Sequence, residues 1–407
     1  MHGTILLWSM WIGMFAILFI NKPMKKQTES RLQSLDVLRG LTIAGMILVN
    51  NPGDWNAIYA PLKHADWHGL TPTDLVFPFF MFILGISTYL SLRKTHFKFS
   101  TPILVKIVKR TSIIFLIGLG LSWFSLSINS SYWLEPDFLS TGARIWQSIT
   151  HFEDLRILGV MQRLAICYGL TAILGITVKH KYLPSLIATL LIGYFVLLLT
   201  GNGFEKGDSN IVGIVDQKVL GLSHIYNAYG LDPEGILSTI PSVAHVLIGF
   251  CLGKILMETK DNNQRMLLLF IYGAILTFTG LLLSYGCPIN KKLWTPSFVL
   301  TTCGMAATLL SLLIWIIDVN KNTRWSVFFE SFGVNPLFIY VFAYLLATLL
   351  DGIRVTKELS IKEWIYSGML SIELNPYFTS TAYAVLFIIF CWSVVHVLYR
   401  KKIYIKI

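Results

Sequence analysis

The stretch LKHADWHGLTPTDLVFPFFMFI, residues 62–83, gathers His64, Asp66, Trp67, His68 and Asp74 and then runs directly into an apolar segment. Histidine can take up and release a proton near neutral pH. An ionisable cluster at a lipid–water boundary is a candidate functional site, although interfacial His and Trp also serve simply to anchor a helix. Thr71, Pro72 and Asp74 read as a helix start, with Thr71 as N-cap, Pro72 at the first helical position and Asp74 reaching back to the cap. Asp74 is therefore first a capping residue and second a candidate for chemistry.

Other polar residues fall where apolar ones would cost less. Asp36, Gly40, Ile43, Ile47 and Asn50 recur at helical spacing and share one face. Asp36 and Asn50 lie about 21 Å apart along a helix axis, so this stripe links the two membrane surfaces, and Gly40 and Gly45 permit close approach of a ligand or a second helix. Gln162 and Arg163 sit in the apolar run LGVMQRLAICY, where Arg163 either snorkels to headgroups or faces an anion or carbonyl. His245 reads as a core histidine. Trp67, Asp232 and Glu234 belong to loops that mix aromatic rings with carboxylates, the composition a sugar site needs and also that of a membrane interface.

These residues must be placed by membrane helices. The chain has 407 residues, 54% of them hydrophobic and 14% charged, with a mean hydropathy of +0.63. A soluble core of this size could not hide that much apolar sequence. The net charge of +11 lies in short runs between apolar segments, so it marks cytoplasmic loops and not a nucleic-acid surface. The five cysteines show neither a disulfide framework nor metal spacing. Apolar segments at 4–20, 37–51, 74–92, 102–127, 157–178, 183–200, 236–257, 266–285, 297–317, 336–350 and 378–399 predict an all-α polytopic protein of about 11 spans. The basic loops place the N-terminus outside and the C-terminus in the cytoplasm. Residues 325–334 read as interfacial, and the loop 128–156 adds Glu135, Asp137, Trp146, Glu153 and Asp154 to the external face.

The runs RLQSLDVLRGLTIAGMILVNN, KHADWHGLTPTDLVFPFFMFILG, LGVMQRLAICY, DPEGILSTIPSVAHVLIGFCLGK, PINKKLWTPSFVLTTCG and FGVNPLFIYV occur in that order. Together they closely resemble the heparan-α-glucosaminide N-acetyltransferase family, from Arg31 onward. The resemblance implies one transmembrane acyltransferase domain, with 1–30 as an extra helix and linker, 31–407 as the core, and no large luminal domain. It further implies transfer of an acetyl group from cytoplasmic acetyl-CoA to a glucosamine-type amine on the far side. The family's catalytic histidine falls on His64 and its motif asparagine on Asn50. His68 stands where the animal sequences have asparagine, which argues against an essential role for it.

The residues fit that chemistry: His64 as base, Asn50 (less so Asn51) as donor to the tetrahedral oxyanion. The expected CoA site comprises Asp36, Arg39, Gly40, Lys106, Lys109, Arg110, Gln162 and Arg163. The expected acceptor site comprises Asn51, Trp67, Asp232 and Glu234, and no metal is expected. A bacterial inner membrane and a homodimer complete the expectation. An amino-sugar transporter or an O-acetyltransferase of envelope glycans remains the alternative, and only the transporter would leave acetyl-CoA unconsumed.

Overall fold

A computed structural model describes residues 32–133, 141–227, 229–356 and 358–405. The expected first segment, 4–20, and the loop acids Glu135 and Asp137 lie outside them. Among the described residues the chain is helical throughout, with one isolated bridge between Arg354 and Ser360 in place of any strand. The helices are α1 (Gln33–Asn50), α2 (Val76–Arg93), α3 (Thr101–Trp133), α4 (Thr141–Thr150), α5 (Val160–Thr177), α6 (Leu183–Thr200) and α7 (Ile211–Leu220). They continue as α8 (Thr239–Glu258), α9 (Asn262–Leu283), α10 (Pro296–Leu313), α11 (Val327–Val334), α12 (Pro336–Gly352), α13 (Ile361–Leu370) and α14 (Pro376–Arg400).

Eight helices among the described residues are long and apolar enough to cross a bilayer, and α11 with α12, bent by 90° at Asn335, would make a ninth. The expected segment 37–51 does form a helix, α1, but Asp36 and Arg39 in its first half keep it out of that set. The stretch 325–334 is the short α11, the first limb of the bent pair.

Hydropathy alone does not separate inner helices from outer ones, because lipid is as apolar as a protein core. Burial does. The spans of α2, α5, α8 and α10 are 61% to 72% buried, whereas those of α3, α6, α9 and α14 are 11% to 33% buried. The inner helices approach closely through glycine. A Cβ at Gly85 would overlap the Val246 carbonyl and one at Gly249 the Phe82 carbonyl, so α2 and α8 lie backbone to backbone. Phe79, Met81, Phe82, Ile83 and Ile86 of α2 are buried in the resulting core with Val246, Leu247 and Phe250. At one end of the bundle a separate, smaller core of Trp67, Tyr194, Leu198, Val212, Leu231 and Leu293 holds the connecting loops together as a cap.

Candidate active site

The site begins with a helix start. Thr71 and Asp74 form a capping box ahead of α2, with Pro72 in the first turn. One carboxylate oxygen of Asp74 accepts from the Ala65 and Thr71 amides, each at 3.1 Å, and from the Thr71 hydroxyl at 2.9 Å. The other faces His64 Nδ1 at 2.6 Å. Asp74 is 1% exposed and His64 45% exposed along their side chains. Capping and chemistry are thus one arrangement: the box fixes a buried carboxylate, and the carboxylate fixes the imidazole. With Nδ1–H donated to Asp74, the Nε2 lone pair is the free face of the ring.

A second element converges on the dyad. The turn 287–295 is braced by the buried Asn290, whose Oδ1 accepts from the Leu293 amide at 3.0 Å. Thr295 Oγ1 accepts from the Asn290 amide at 3.0 Å, and the Tyr194 hydroxyl donates to the Leu293 carbonyl at 2.7 Å. This turn carries Lys291 Nζ to 3.2 Å from His64 Nδ1 and 3.6 Å from Asp74 Oδ1. Burial pulls the Lys291 ammonium below its usual range against the opposing pull of Asp74. Lys292 donates to the carbonyls of Ala65 and Asp66 and, like Lys291, is lowered by burial. The turn also holds Trp294 at a φ of 55°, a left-handed backbone that a bulky side chain adopts only under constraint. Sequence reading passed over Lys291, Lys292 and Trp294. The available signal was two consecutive lysines in a loop expected on the side that the positive-inside rule leaves poor in them.

The expected site residues divide. His68 is exposed; its Nδ1 lies 3.4 Å from the Asn290 amide, away from Asp74, and burial lowers its proton affinity. Asn50 ends α1 with an exposed side chain, and no hydrogen bond joins it to His64 among the described residues. Asn51 folds its amide onto the Ile47 carbonyl at 2.7 Å.

Three residues expected at the acceptor site have partners within the fold. Trp67 is 7% exposed, donates to the Phe204 carbonyl at 2.8 Å and belongs to the cap core, so it offers no open stacking face. Asp232 is fully buried, and its two oxygens bind Arg156 at 2.6 and 3.0 Å. They also accept from the Tyr226 and Glu234 amides, each at 2.8 Å. Glu234 pairs with the same guanidinium. Although burial opposes it, these two carboxylates hold Arg156 above its ordinary range. The trio is a closed lock of the cap.

The expected CoA stripe packs against protein as well. A Cβ at Gly40 would overlap the Phe329 carbonyl, and one at Gly333 the Asp36 carbonyl, so α11 occupies the face expected to carry a ligand. Ile43 and Ile47 on that face are buried against Phe332, Ile339 and Phe387. Arg39 binds Asp36 at 2.7 Å, the Gly333 carbonyl at 3.1 Å and Ser87 at 2.9 Å, tying α1, α2 and α11. Lys106 and Lys109 are exposed on α3, and the Arg110 guanidinium lies 4.7 Å over the Tyr168 ring.

Gln162 and Arg163 are each 1% exposed. Gln162 packs toward Gly118 of α3. Arg163 turns the other way, donating to the Gly235 carbonyl at 3.2 Å and to Ser238, with its Cζ 5.2 Å from the Trp294 ring centre. Among the described residues there is no group of three or more His, Cys, Asp or Glu that could hold a metal ion.

The family model "Heparan-alpha-glucosaminide N-acetyltransferase, catalytic" matches residues 31–285. The heparan-alpha-glucosaminide N-acetyltransferase of Mus musculus is 28% identical over 443 residues, covering 94% of this chain and 61% of its own length. That of Homo sapiens is 28% identical over 439 residues, covering 93% and 60%. The chain therefore spans about three fifths of the relatives it matches. A match over more than half of the chain, with both relatives aligned along nearly all of it, places this protein in the heparan-α-glucosaminide N-acetyltransferase catalytic family.

Proposed function

We propose that this protein moves the acetyl group of acetyl-CoA, bound from the cytoplasm, to the amine of a glucosamine-type sugar on the opposite side of the membrane. The observation that carries the reading is the His64–Asp74 dyad: a half-exposed imidazole, fixed by a buried carboxylate, with Nε2 free. His64 takes the amine proton as the nitrogen bonds to the acyl carbon. The C–S bond then breaks, and the same imidazole returns the proton to the leaving thiolate.

The oxyanion needs a donor within reach of that carbon. Lys291 stands beside the imidazole, and Asn50, the residue the family resemblance favours, would have to turn toward the dyad. The CoA phosphates have Lys106, Lys109 and Arg110 available on one stretch of α3. The acceptor binds at the rim made by His64, Lys292 and Tyr229, whose ring centre lies 5.4 Å from Lys292 Nζ, since Trp67, Asp232 and Glu234 are engaged elsewhere.

Single-turnover acetyl transfer to glucosamine by the purified protein tests this. His64→Ala is expected to lose on the order of 10²-fold or more in rate, with acetyl-CoA binding retained, whereas His68→Ala loses far less. Near-normal transfer by His64→Ala would overturn the assignment, and wild-type protein that consumes no acetyl-CoA would favour a transporter.

A further inference from the structure

Arg163, Trp294 and His245 form a connected group directly inward of the dyad. Phe77 lies one helical turn inside Asp74 on α2 and packs edge-on against Trp294, ring centres 5.3 Å apart. Trp294 follows Lys291 by three residues. From the Trp294 ring centre it is 5.2 Å to the Arg163 Cζ and 5.8 Å to the His245 ring. Three elements meet there: α5 through Arg163, α8 through His245, and the turn before α10 through Trp294.

The three residues are 0% to 1% exposed, yet Arg163 Nε and Nη1 and Trp294 Nε1 have no hydrogen-bond partner, whereas the His245 ring has the Pro78 backbone of α2 as a partner. Buried polar groups are as a rule partnered, and leaving several bare in one place is costly. The unpartnered atoms are N–H donors, and the rings of Phe77 and Phe298 pack edge-on against Trp294 beside them. A ligand that answers such a set brings acceptors without donors of its own facing them, on a slim apolar body. A chain of methylenes interrupted by carbonyl oxygens fits. The constrained backbone of Trp294, held by the bonds of Asn290, Leu293 and Thr295, is what delivers its N–H inward.

We propose that Arg163 and Trp294, backed by His245, bind the carbonyl groups of the acyl donor's thioester arm, holding it in line with His64 one helical turn closer to the membrane interior. The proposal rests on the acetyl-transfer reading but is tested without catalysis. Calorimetric titration measures the affinity of the purified protein for three probes: pantetheine, which carries the amide carbonyls; adenosine 3′,5′-bisphosphate, which carries none of the arm; and inorganic phosphate.

Trp294→Phe keeps the ring and removes one N–H. It is expected to weaken pantetheine binding about three- to tenfold, the scale of one hydrogen bond, with adenosine bisphosphate affinity and thermal stability unchanged. Arg163→Lys, which keeps the charge but removes Nε and Nη1 and disturbs the Nη2 bonds to Gly235 and Ser238, is expected to weaken pantetheine binding by a similar factor and stands in if the first variant does not fold. Unchanged pantetheine affinity in a folded variant overturns the proposal. So does an equal loss for both organic probes together with lower stability, which marks a packing role, or a loss confined to phosphate, which marks an anion site. Wild-type protein that binds neither acetyl-CoA nor pantetheine sinks the acetyl-transfer reading itself. Wild-type transfer with a silent Trp294→Phe sinks only this inference.

Discussion

At the scale of single residues, Asp74 decides what His64 can do. Its two oxygens serve different masters: one closes the capping box, the other receives the imidazole Nδ1–H. Asp74→Asn preserves shape but places an amide where two acceptors were used. The ring then loses its fixed tautomer, and Lys291 loses its buried counter-charge. We expect transfer to fall by about 10- to 100-fold, part of the usual general-base contribution, and stability by about 1–3 kcal/mol from the unsatisfied groups. Rate assays beside thermal unfolding in detergent separate the two effects, and an active, stable variant would mean that Asp74 is a cap and nothing more.

At the scale of elements, Gly40 makes a different point. It was legible in sequence as a site of close approach, but not what approaches. The answer is α11, whose Gly333 meets it in return. Gly40→Leu is therefore expected to separate α1 from α11 and cost about 1–3 kcal/mol as an overpacked contact. Stability and activity should fall together in that variant, and a selective loss of acetyl-CoA affinity at full stability would restore a ligand to that face.

The cap offers a pH test. Asp216 on α7 is buried beside Asp232 and accepts from the amides of Asp232 and Ile236, at 3.2 and 2.8 Å. Burial raises its carboxyl to about 6, against about 3.9 in an unfolded chain. A raised acid favours the folded state most fully below the unfolded value, and that advantage is lost as pH rises through the folded one. Thermal stability of the cap should therefore decline between about pH 4 and pH 6, by an amount on the order of 3 kcal/mol. Asp216→Asn should flatten that slope, and an unaltered pH profile in the variant would remove Asp216 as its source.

At the scale of the whole molecule, the dyad and the C-terminal basic residues are expected on opposite faces of the membrane. Cysteines at Asp66 and Lys402, both exposed, should react with an impermeant maleimide from opposite sides in sealed vesicles, over a low background because four of the natural cysteines are buried and Cys251 half-buried. Labelling of both from one side would overturn the arrangement.

Most of the span pattern was legible because lipid demands long apolar helices, and His64 because ionisable residues at a helix start stand out against that background. The inner and outer helices were not distinguishable, since both are apolar. The partners of Trp67, Asp232 and Glu234 were not legible for a related reason: an aromatic or acid that completes a loop's core looks in sequence like one that faces a sugar. Arg156, 76 residues from Asp232, is what turns those acids into a lock, and no local pattern announces so distant a pairing.

The break between α11 and α12 carries a consequence for how the chain is made. The fully buried side chain of Asn335 donates to the Ile403 carbonyl at 2.9 Å and accepts from the Ile405 amide at 2.8 Å. Ile403 is synthesised 68 residues later, so at about 5–20 residues per second the ribosome takes several seconds to supply it. Until then the Asn335 side chain lacks these two partners, while α11 is held to α1 at Gly40 and Gly333. The fastening of this bend is thus made by residues synthesised well after it, and a tag fused directly after Ile405 would sit on the latch.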